Sequence, residues 1–300
     1  MADSCRNEIK DGENMNGYLA AGIFLIAIVA FVWMLRLENR RFKVTEYIVR
    51  TDKITEDVTL AVMSDLHNYS YGTGNEKLLK KLREIHPDAV ISAGDMIEGS
   101  SNAKGTGETI RFLSKVSEEF PFYYGLGNHE SKFLRDPGKY EKTEQEFFSA
   151  VNQTKLELLD NKTRMLSRGN IKITGLELER TYFRKVKRNP VSAEHITELV
   201  GESDSSCFHI LIAHNPDQFD AYVKWGADLV LSGHVHGGMI VIPGIGGVIS
   251  PQLTLFPKYD GGEYRKGKTT MLLSRGLGNH TVHVRIFNRA ELLVVRLLRK

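Results

Sequence analysis

The sequence is poor in cysteine and has almost no net charge. Cys5 and Cys207 are its two cysteines, so a disulfide framework is excluded, which is compatible with a reducing compartment. The 40 basic residues nearly balance the 37 acidic ones, and the net charge of +3 is too small to indicate a nucleic-acid partner. Internal repeats, low-complexity tracts and the glycine–lysine spacing of a nucleotide-binding P-loop are also absent.

An uncharged apolar run of 18 residues, Tyr18 to Leu35, is the first long feature that is present. As a helix it is roughly 27 Å long, close to the hydrocarbon core of about 30 Å in a bilayer. A cleaved signal peptide has a shorter run behind a basic front, whereas residues 1–16 are net acidic. The run predicts a retained membrane anchor over residues 17–37 behind an N-terminal tail over 1–16. A cleaved segment and a core helix are the alternatives.

Basic residues are more frequent after this run than before it. Those that follow it are Arg36, Arg40, Arg41 and Lys43, and those that precede it are Arg6 and Lys10. Because the more positive flank of a span stays in the cytoplasm, the sequence predicts a single-pass protein of the cell membrane. Its N-terminus is expected outside and its main domain in the cytoplasm.

Five short apolar runs after the anchor each end in polar side chains. The runs are TLAVMSDLH, PDAVISAGD, FPFYYGLGNHE, CFHILIAHNPD and ADLVLSGHVH. Their length and composition predict buried strands, and stretches such as NEKLLKKLREI, ETIRFLSKV and PDQFDAYVKWG predict amphipathic helices between several of them. This alternation of strand and helix predicts an α/β domain.

The polar residues at the strand ends are candidate metal ligands, because ligands of such sheets gather at the carboxyl ends of the strands. The residues are Asp65, His67, Asp95, Asn128, His129, His214, His234 and His236. Imidazole, carboxylate and amide groups together suit Mn, Fe or Zn, with Mg as an alternative, rather than Ca or a thiolate-bound zinc. Without His129, seven candidates remain, which suffice for two divalent ions that share one carboxylate.

The segments DLH, GDMIE, GNHE, HNPD and GHVHGG, in this order, resemble the calcineurin-like metallophosphoesterase superfamily. The C-terminal segments IPGIGGVISPQLTLFPKYDGGEY and SRGLGNHTVHVRIFNRAELLVV resemble its bacterial membrane-anchored or exported branch. The resemblance covers about residues 45–298 and implies one catalytic domain there. It implies a four-layer α/β/β/α sandwich, two sheets flanked by helices, that hydrolyses a phosphate ester with two metal ions.

The resemblance also implies a role for each candidate residue. Seven of them would be metal ligands: Asp65, His67 and His236 at the first ion, Asn128, His214 and His234 at the second, and Asp95 between both. His129 would protonate the leaving alkoxide or stabilise charge on the phosphoryl group, and Glu98 would orient His129.

Three segments outside the motifs have open interpretations. GGMIVIPGIGG is expected to form a bent hairpin or loop at the rim of the site, and SRGLGNH is either a structural turn or an approach to the substrate. ERTYFRKVKR is either solvated surface or a basic lip for anionic lipid or phosphate. Its basic residues are Arg180, Arg184, Lys185, Lys187 and Arg188.

The anchor and the basic lip indicate a lipid-linked phosphodiester or pyrophosphate as substrate, by analogy with the UDP-diacylglucosamine hydrolases of the superfamily. One alternative is a nucleotide or cyclic-nucleotide phosphodiesterase, or a nuclease, built on the same site. Another is a membrane scaffold that binds metal without catalysis, which the presence of His129 and Glu98 disfavours. No nucleic-acid partner is expected, and nothing in the sequence specifies an oligomer.

Overall fold

A computed structural model describes residues 2–99, 104–183, 190–238, 240–242, 244, 246–249, 255–278 and 285–300. The chain divides into two compact units, Met1–Arg40 and Arg41–Lys300. The first unit contains helix α1, Ala2–Asn39, which continues through the residues predicted to form a tail. Its segment Tyr18–Asn39 is long and apolar enough to cross a membrane and is not buried within the structure.

The described part of the second unit contains six α-helices and fourteen β-strands. The helices are α2 (Glu76–Ile85), α3 (Thr106–Glu119), α4 (Asn128–Arg135), α5 (Pro137–Gln153), α6 (Ala193–Val200) and α7 (Phe219–Trp225). The first seven strands are β1 (Phe42–Thr51), β2 (Val58–Met63), β3 (Ala89–Ala93), β4 (Phe122–Gly125), β5 (Leu156–Leu158), β6 (Lys162–Met165) and β7 (Ile171–Leu176). The others are β8 (Phe208–Ala213), β9 (Leu229–Ser232), β10 (Ile240–Ile242), β11 (Gly246–Ile249), β12 (Gly262–Lys266), β13 (Thr269–Leu273) and β14 (Ala290–Arg299).

Twelve of these strands form two six-stranded sheets. The first sheet has the order β1-β14-β2-β3-β4-β5, and the second has the order β12-β13-β9-β8-β7-β6. Strands β2 to β5 are parallel to one another, as are β13, β9, β8 and β7. The carboxyl ends of the central strands therefore lie along one edge of each sheet, which is where the predicted polar residues follow them.

Alternating side chains of the strands fill three separate hydrophobic cores. Leu60 of β2 and Ile210 of β8 belong to the core between the two sheets, which contains apolar side chains of both. Met63 packs with helices α2 and α3, whereas Leu211 packs with α6 and α7 on the outer face of the second sheet. Side chains one residue apart on a strand point to opposite faces, so each central strand serves two cores. Three cores separate four layers, which confirms the expected α/β/β/α sandwich.

The predicted helices are confirmed, and their ends follow local rules. PDQFDAYVKWG begins as a 3₁₀ turn, Pro216–Gln218, in which the Asn215 side chain accepts a hydrogen bond from the backbone N–H of Asp217. Helix α7 follows and ends before Gly226, whose φ of 105° terminates the helix. The turn and helix carry the chain from β8 back to β9, and that crossover makes the two strands parallel.

Candidate metal centre

The predicted polar residues meet where the carboxyl ends of the parallel strands converge. Asp65 follows β2, Asp95 follows β3 and His214 follows β8, while the two histidines of GHVHGG follow β9. Asn128 and His129 differ slightly from the prediction, because β4 ends at Gly125 and both residues lie in the first turn of helix α4. Chain reversal after each strand thus delivers one part of the cluster.

The ligand-type atoms of these residues form three overlapping groups, each with all its atoms within 4.8 Å of one another. The groups are Asp65, His67 and His236; His67, Asp95 and His129; and Asp95, His214 and His234. The first group has the residues predicted for one metal ion, and the third has those predicted for the other apart from Asn128. Asp95 belongs to two groups and lies between them. Two groups that share Asp95 agree with the expectation of two ions, and the assignment of the ions to these residues stays a prediction.

Five of these residues have a left-handed backbone, which is uncommon for residues other than glycine. Their φ angles are 53° for Asp65, 48° for His67, 55° for Asp95, 75° for His234 and 55° for His236. Such a conformation costs on the order of 1–3 kcal/mol per residue and concentrates at functional sites. Because GHVHGG leaves strand geometry, its two histidines do not alternate between faces, and each joins a different group.

Two glycines of the motifs allow the turns to touch one another. A Cβ atom on Gly127 would collide with the carboxylate of Asp95, and one on Gly233 would collide with the carboxylate of Asp65. The glycines that precede Asn128 and His234 are therefore required by the close approach of neighbouring turns. This contact brings helix α4 to the turn after β3, and the turn after β9 to the turn after β2.

The interatomic distances fit divalent ions. His236 Nε2 lies 3.2 Å from Asp65 Oδ1 and 3.1 Å from His67 Nε2, and His214 Nε2 lies 3.0 Å from Asp95 Oδ2. Two ligands about 2.1 Å from one ion are separated by about 3.0 Å at a right angle and about 3.4 Å in a tetrahedron. The close nitrogens and oxygens have the separations expected of atoms that share a metal ion.

Asn128 Oδ1 is buried and lacks a hydrogen-bond partner within the described parts of the chain. The Nδ1 atom of His214 donates to the carbonyl oxygen of Ala93 at 2.7 Å, so its Nε2 atom faces the cluster, 3.0 Å from Asp95 Oδ2. A buried polar atom without a partner is costly, and a bound cation would satisfy Asn128 Oδ1 and take the place of a proton on His214 Nε2. This observation favours Asn128 and His214 as ligands.

The charges of the cluster also favour a cation. Burial lowers the pKa of His214 but the carboxylates of Asp95 and Asp65 raise it, and the net effect is a pKa of about 10. Burial lowers the pKa of His234 to about 3, which leaves its imidazole neutral, the form that binds metal. The buried carboxylates thus hold a proton in a place where a divalent ion would supply more positive charge.

His129 presents one defined nitrogen to the cluster. Its Nδ1 accepts a hydrogen bond of 3.0 Å from the backbone N–H of Gly99, so the neutral ring carries its proton on Nε2. The ring lies edge-on to that of His67, with 4.8 Å between the ring centroids. Burial lowers the pKa of His129 although the nearby carboxylates of Asp95 and Glu98 raise it. The orienting role of Glu98 stays a prediction. The hydrogen bond from Gly99, which the sequence did not indicate, orients the ring in the structure.

Glu130 is a buried carboxylate of the site that the sequence analysis missed. It accepts hydrogen bonds from the backbone N–H groups of Asp95 at 2.8 Å, Ile97 at 3.0 Å and Gly127 at 3.1 Å, and from the Tyr124 hydroxyl at 2.8 Å. Burial and the Asp95 charge raise its pKa to about 7. Glu130 is the third residue of helix α4, where acidic residues commonly bind free N–H groups, and this position was the available signal. It joins the turn after β3 to the start of α4.

Arg285 and Asn288, which the sequence analysis also missed, fix the turns around Arg275 and His236 through backbone hydrogen bonds. The buried guanidinium of Arg285 donates to the carbonyl oxygens of Arg275 at 2.8 Å and Gly276 at 3.3 Å. In the segment that contains Arg275 and Gly276, the Leu277 N–H donates to the carbonyl oxygen of Ser64 at 2.9 Å, directly before Asp65. Asn288 Nδ2 donates to the His236 carbonyl oxygen at 2.6 Å. The part of SRGLGNH that is described is therefore a structural turn against the Asp65 loop; Asn279 and His280 lie outside the described residues.

The basic stretch is described only in part. Arg180 is exposed on the 3₁₀ segment Arg180–Phe183, whereas Arg184, Lys185, Lys187 and Arg188 lie outside the described residues. Phe183 of the same segment reaches the cluster, with its ring centroid 5.4 Å from that of His234 and 6.5 Å from that of His214. The Phe183 ring therefore borders the predicted position of the second metal ion.

A four-layer α/β/β/α domain with histidines and aspartates gathered at the strand ends defines a metallophosphoesterase, a metal-dependent hydrolase of phosphoric esters. The sequence pattern of the calcineurin-like phosphoesterases matches residues 58–238, which is more than half of the chain. The chain therefore belongs to the calcineurin-like phosphoesterase family, as its motifs predicted. This family uses a binuclear metal site.

Individual relatives are distant. The uncharacterized metallophosphoesterase YkuE of Bacillus subtilis is 26% identical over 291 residues, which cover 95% of each chain. The UDP-2,3-diacylglucosamine pyrophosphatase LpxG of Chlamydia muridarum is 22% identical over an alignment that covers 94% of this chain and 98% of that protein. Among solved structures, TT1561 of Thermus thermophilus has a TM-score of 0.42 at 12% identity. The alignment covers 73% of this chain and 90% of TT1561.

Proposed function

We propose that this metallophosphoesterase is a membrane-anchored phosphodiesterase or pyrophosphatase that acts on a lipid-linked phosphate. The hydrolase class follows from the family. The proposal about the substrate combines the apolar helix α1 with the name of one relative, a pyrophosphatase of a diacylated sugar nucleotide. An anchor restricts the domain to the neighbourhood of a bilayer, where lipid-linked substrates are concentrated.

Seven residues would hold two divalent ions. Asp65, His67 and His236 would bind one ion, Asn128, His214 and His234 the other, and Asp95 both. The spacing of the ligand atoms and the buried, unsatisfied Asn128 Oδ1 support this assignment. The mixed nitrogen and oxygen set suits Mn, Fe or Zn, with Mg as an alternative. Such ions would supply an activated water and neutralise negative charge on the phosphoryl oxygens.

His129 is the candidate residue for stabilising charge on the substrate. Because its Nδ1 accepts a hydrogen bond from the Gly99 N–H, the neutral ring carries its proton on Nε2, which would donate a hydrogen bond to a phosphoryl or leaving-group oxygen. The backbone N–H of His129 also donates to Asp95 Oδ1 at 2.7 Å, which fixes the residue relative to the predicted bridging carboxylate. Glu98, with its charge near the ring, would help to orient it.

The overlap of the three ligand groups at His67 and Asp95 is the observation that carries the proposal. Its test is hydrolysis of a chromogenic aryl phosphodiester by the full chain with added manganese. The His129→Ala variant should lose about 10²–10³-fold in kcat, the usual cost of removing one donor that stabilises developing charge, and should retain its metal. The matched control is His195→Ala, because His195 lies on α6 and pairs with Glu198 at 3.1 Å.

The outcome separates the proposal from its alternatives. Normal metal binding without turnover of mono- or diesters would favour the scaffold. Preference for soluble nucleotides or cyclic nucleotides over headgroup release from membrane lipid extracts would favour a nucleotide phosphodiesterase. The proposed sidedness, with the domain in the cytoplasm, predicts that protease added to intact cells spares the domain; digestion would contradict it.

A further inference from the structure

A region beside the metal centre exposes large apolar side chains to water. In the described part of residues 41–300, seven such side chains are exposed, and four of them belong to one region, the apolar rim. These are Ile242, Leu255, Phe256 and Phe287. The Phe256 and Phe287 side chains are 63% and 74% exposed. Single exposed apolar residues are ordinary, but a concentration of them marks an interaction surface.

Backbone hydrogen bonds hold the segments of the rim side by side. Strands β10 and β11 form an antiparallel hairpin, which agrees with the expectation of a hairpin in GGMIVIPGIGG. The Val241 N–H donates to the Ile286 carbonyl oxygen at 3.0 Å, and the Phe256 N–H donates to the Val248 carbonyl oxygen at 2.9 Å. The four rim residues therefore belong to neighbouring segments, which span about 15 Å at the usual strand spacing.

The rim is joined directly to the turn that carries a predicted metal ligand. Asn288, next to Phe287, donates from Nδ2 to the carbonyl oxygens of His236 and Gly238. The hairpin itself begins two residues after Gly238. A molecule seated on the rim would consequently lie beside the metal centre.

The two phenylalanines occupy a backbone conformation that disfavours them. Phe256 has φ of 47° and Phe287 has φ of 52°, and a bulky side chain is a rare outlier in this region. Asparagine or glycine occupies it with less strain. The strain is not offset by burial, since both rings remain largely in water. Phenylalanine at these positions stabilises the fold poorly, so its advantage must come from something that covers the rings.

We propose that the apolar rim inserts into the interface of an anionic bilayer and presents the metal centre to phosphate groups at the membrane surface. The inference rests on the proposed membrane anchor, because helix α1 supplies the bilayer within reach. Exposed Lys258 and Arg289 lie two residues from Phe256 and Phe287, respectively, and aromatic rings beside cations are typical of surfaces that enter the headgroup region. This combination favours lipid over a second copy of the chain as the occupant.

The test uses the full chain in nanodiscs of phosphatidylcholine and phosphatidylglycerol. An environment-sensitive fluorophore is attached to Phe256→Cys or Phe287→Cys in a Cys5→Ser, Cys207→Ser background. Lipids with nitroxide on the acyl chain should quench both labels by about twofold or more, as for side chains at the acyl boundary. The matched control is Met165→Cys, an exposed apolar position of β6 in the second sheet, which should not be quenched.

Two outcomes would overturn the proposal. Quenching no greater than at Met165 would show that the rim stays in water, and a blue-shifted label without nitroxide quenching would show that protein covers it. The readout needs no turnover. An inactive protein with quenched labels would therefore contradict the proposed hydrolase activity and support insertion of the rim. An active protein without quenching would support the hydrolase activity and contradict insertion of the rim.

A second variant tests the strain separately. Replacement of Phe256→Asn together with Phe287→Asn should raise Tm by about 2–4 °C, because asparagine tolerates the left-handed backbone. The same variant should abolish nitroxide quenching of a label at Leu255→Cys. A fall of Tm by a similar amount would show that the rings pack within the protein and would contradict the proposal.

Discussion

The turns of the metal centre and the apolar rim both contain residues with a left-handed backbone, but in opposite surroundings. Asp65 and Asp95 are buried, and each accepts backbone hydrogen bonds from a neighbouring turn, His234 N–H for Asp65 at 3.0 Å and His129 N–H for Asp95 at 2.7 Å. Phe256 and Phe287 are exposed and have no comparable burial. Contacts inside the protein offset the backbone strain in the first region. In the second region we propose that contact with lipid offsets it.

Removal of the shared carboxylate of Asp95 should have the largest effect on the metal centre. Asp95→Ala removes the one carboxylate that is common to the two predicted ion sites, so turnover should fall by about 10³-fold or more as Lewis-acid stabilisation is lost. Elemental analysis should also find less than half of the wild-type metal content. Asp52→Asn, at an exposed position far along the chain, is the control. Unchanged metal content in Asp95→Ala would contradict the bridging assignment.

Glu130→Gln tests whether the buried turns depend on their support. The amide replaces an acceptor of the backbone N–H groups by a donor, which leaves at least one buried N–H without a partner. We expect a loss of about 10–100-fold in metal affinity, the usual effect of removing a group that holds a metal ligand. Isothermal titration with manganese measures it. Affinity equal to that of the wild type would mean that the turns keep their shape without this carboxylate.

A pair of glycine substitutions compares close approach with open space. Gly127→Ala places a Cβ against the Asp95 carboxylate, and we expect destabilisation of about 1–3 kcal/mol, the usual cost of overpacking, together with weaker metal binding. Gly138→Ala, in helix α5, meets nothing within 4 Å and should stabilise by about 0.5–1 kcal/mol. Urea unfolding of both variants measures the difference. Equal effects at the two positions would disprove the close contact.

His209 provides the smallest effect, as a buried histidine outside both regions. Burial lowers its pKa to about 4, below the usual value of about 6.5, so between these values the unfolded chain binds more protons. Its contribution to stability is present above pH 6.5 and is lost as the pH falls toward 4. His209→Gln should therefore show a shallower loss of Tm between pH 7 and pH 5 than the wild type. Parallel Tm profiles would contradict the lowered pKa.

Local patterns in the sequence were sufficient for the five strands that precede the polar residues, for helices α2, α3 and α7, and for the cluster of polar residues. The strands after which Asp65, Asp95 and His214 follow were predictable, because continuous apolar runs and parallel order place their polar ends at one edge. The roles of Glu130, Arg285 and Asn288 were not predictable from periodicity. Each acts by donating to or accepting from backbone groups of another segment, and such contacts exist only after the turns have been brought together.

The pairing of β1 with β14 was also beyond the sequence analysis. Strand β1 alternates between half-buried and exposed residues, and Phe42 aligns with Ala290 in a parallel pair. The two strands are separated by nearly the whole domain, so nothing in their local sequence specifies the partner. Long-range pairing of this kind is decided by the complete sheet rather than by either strand.

Strand β14 lies between β1 and β2, and this order has a consequence for biosynthesis. Strand β1 comes directly after helix α1 in the chain, yet its neighbour in the described sheet is β14, which is separated from it by nearly the whole domain. During synthesis β1 therefore stays without its partner until the segment Ala290–Arg299 has left the ribosome. A chain that stops before residue 290 would leave β1 without a paired strand and would leave one edge of β2 open.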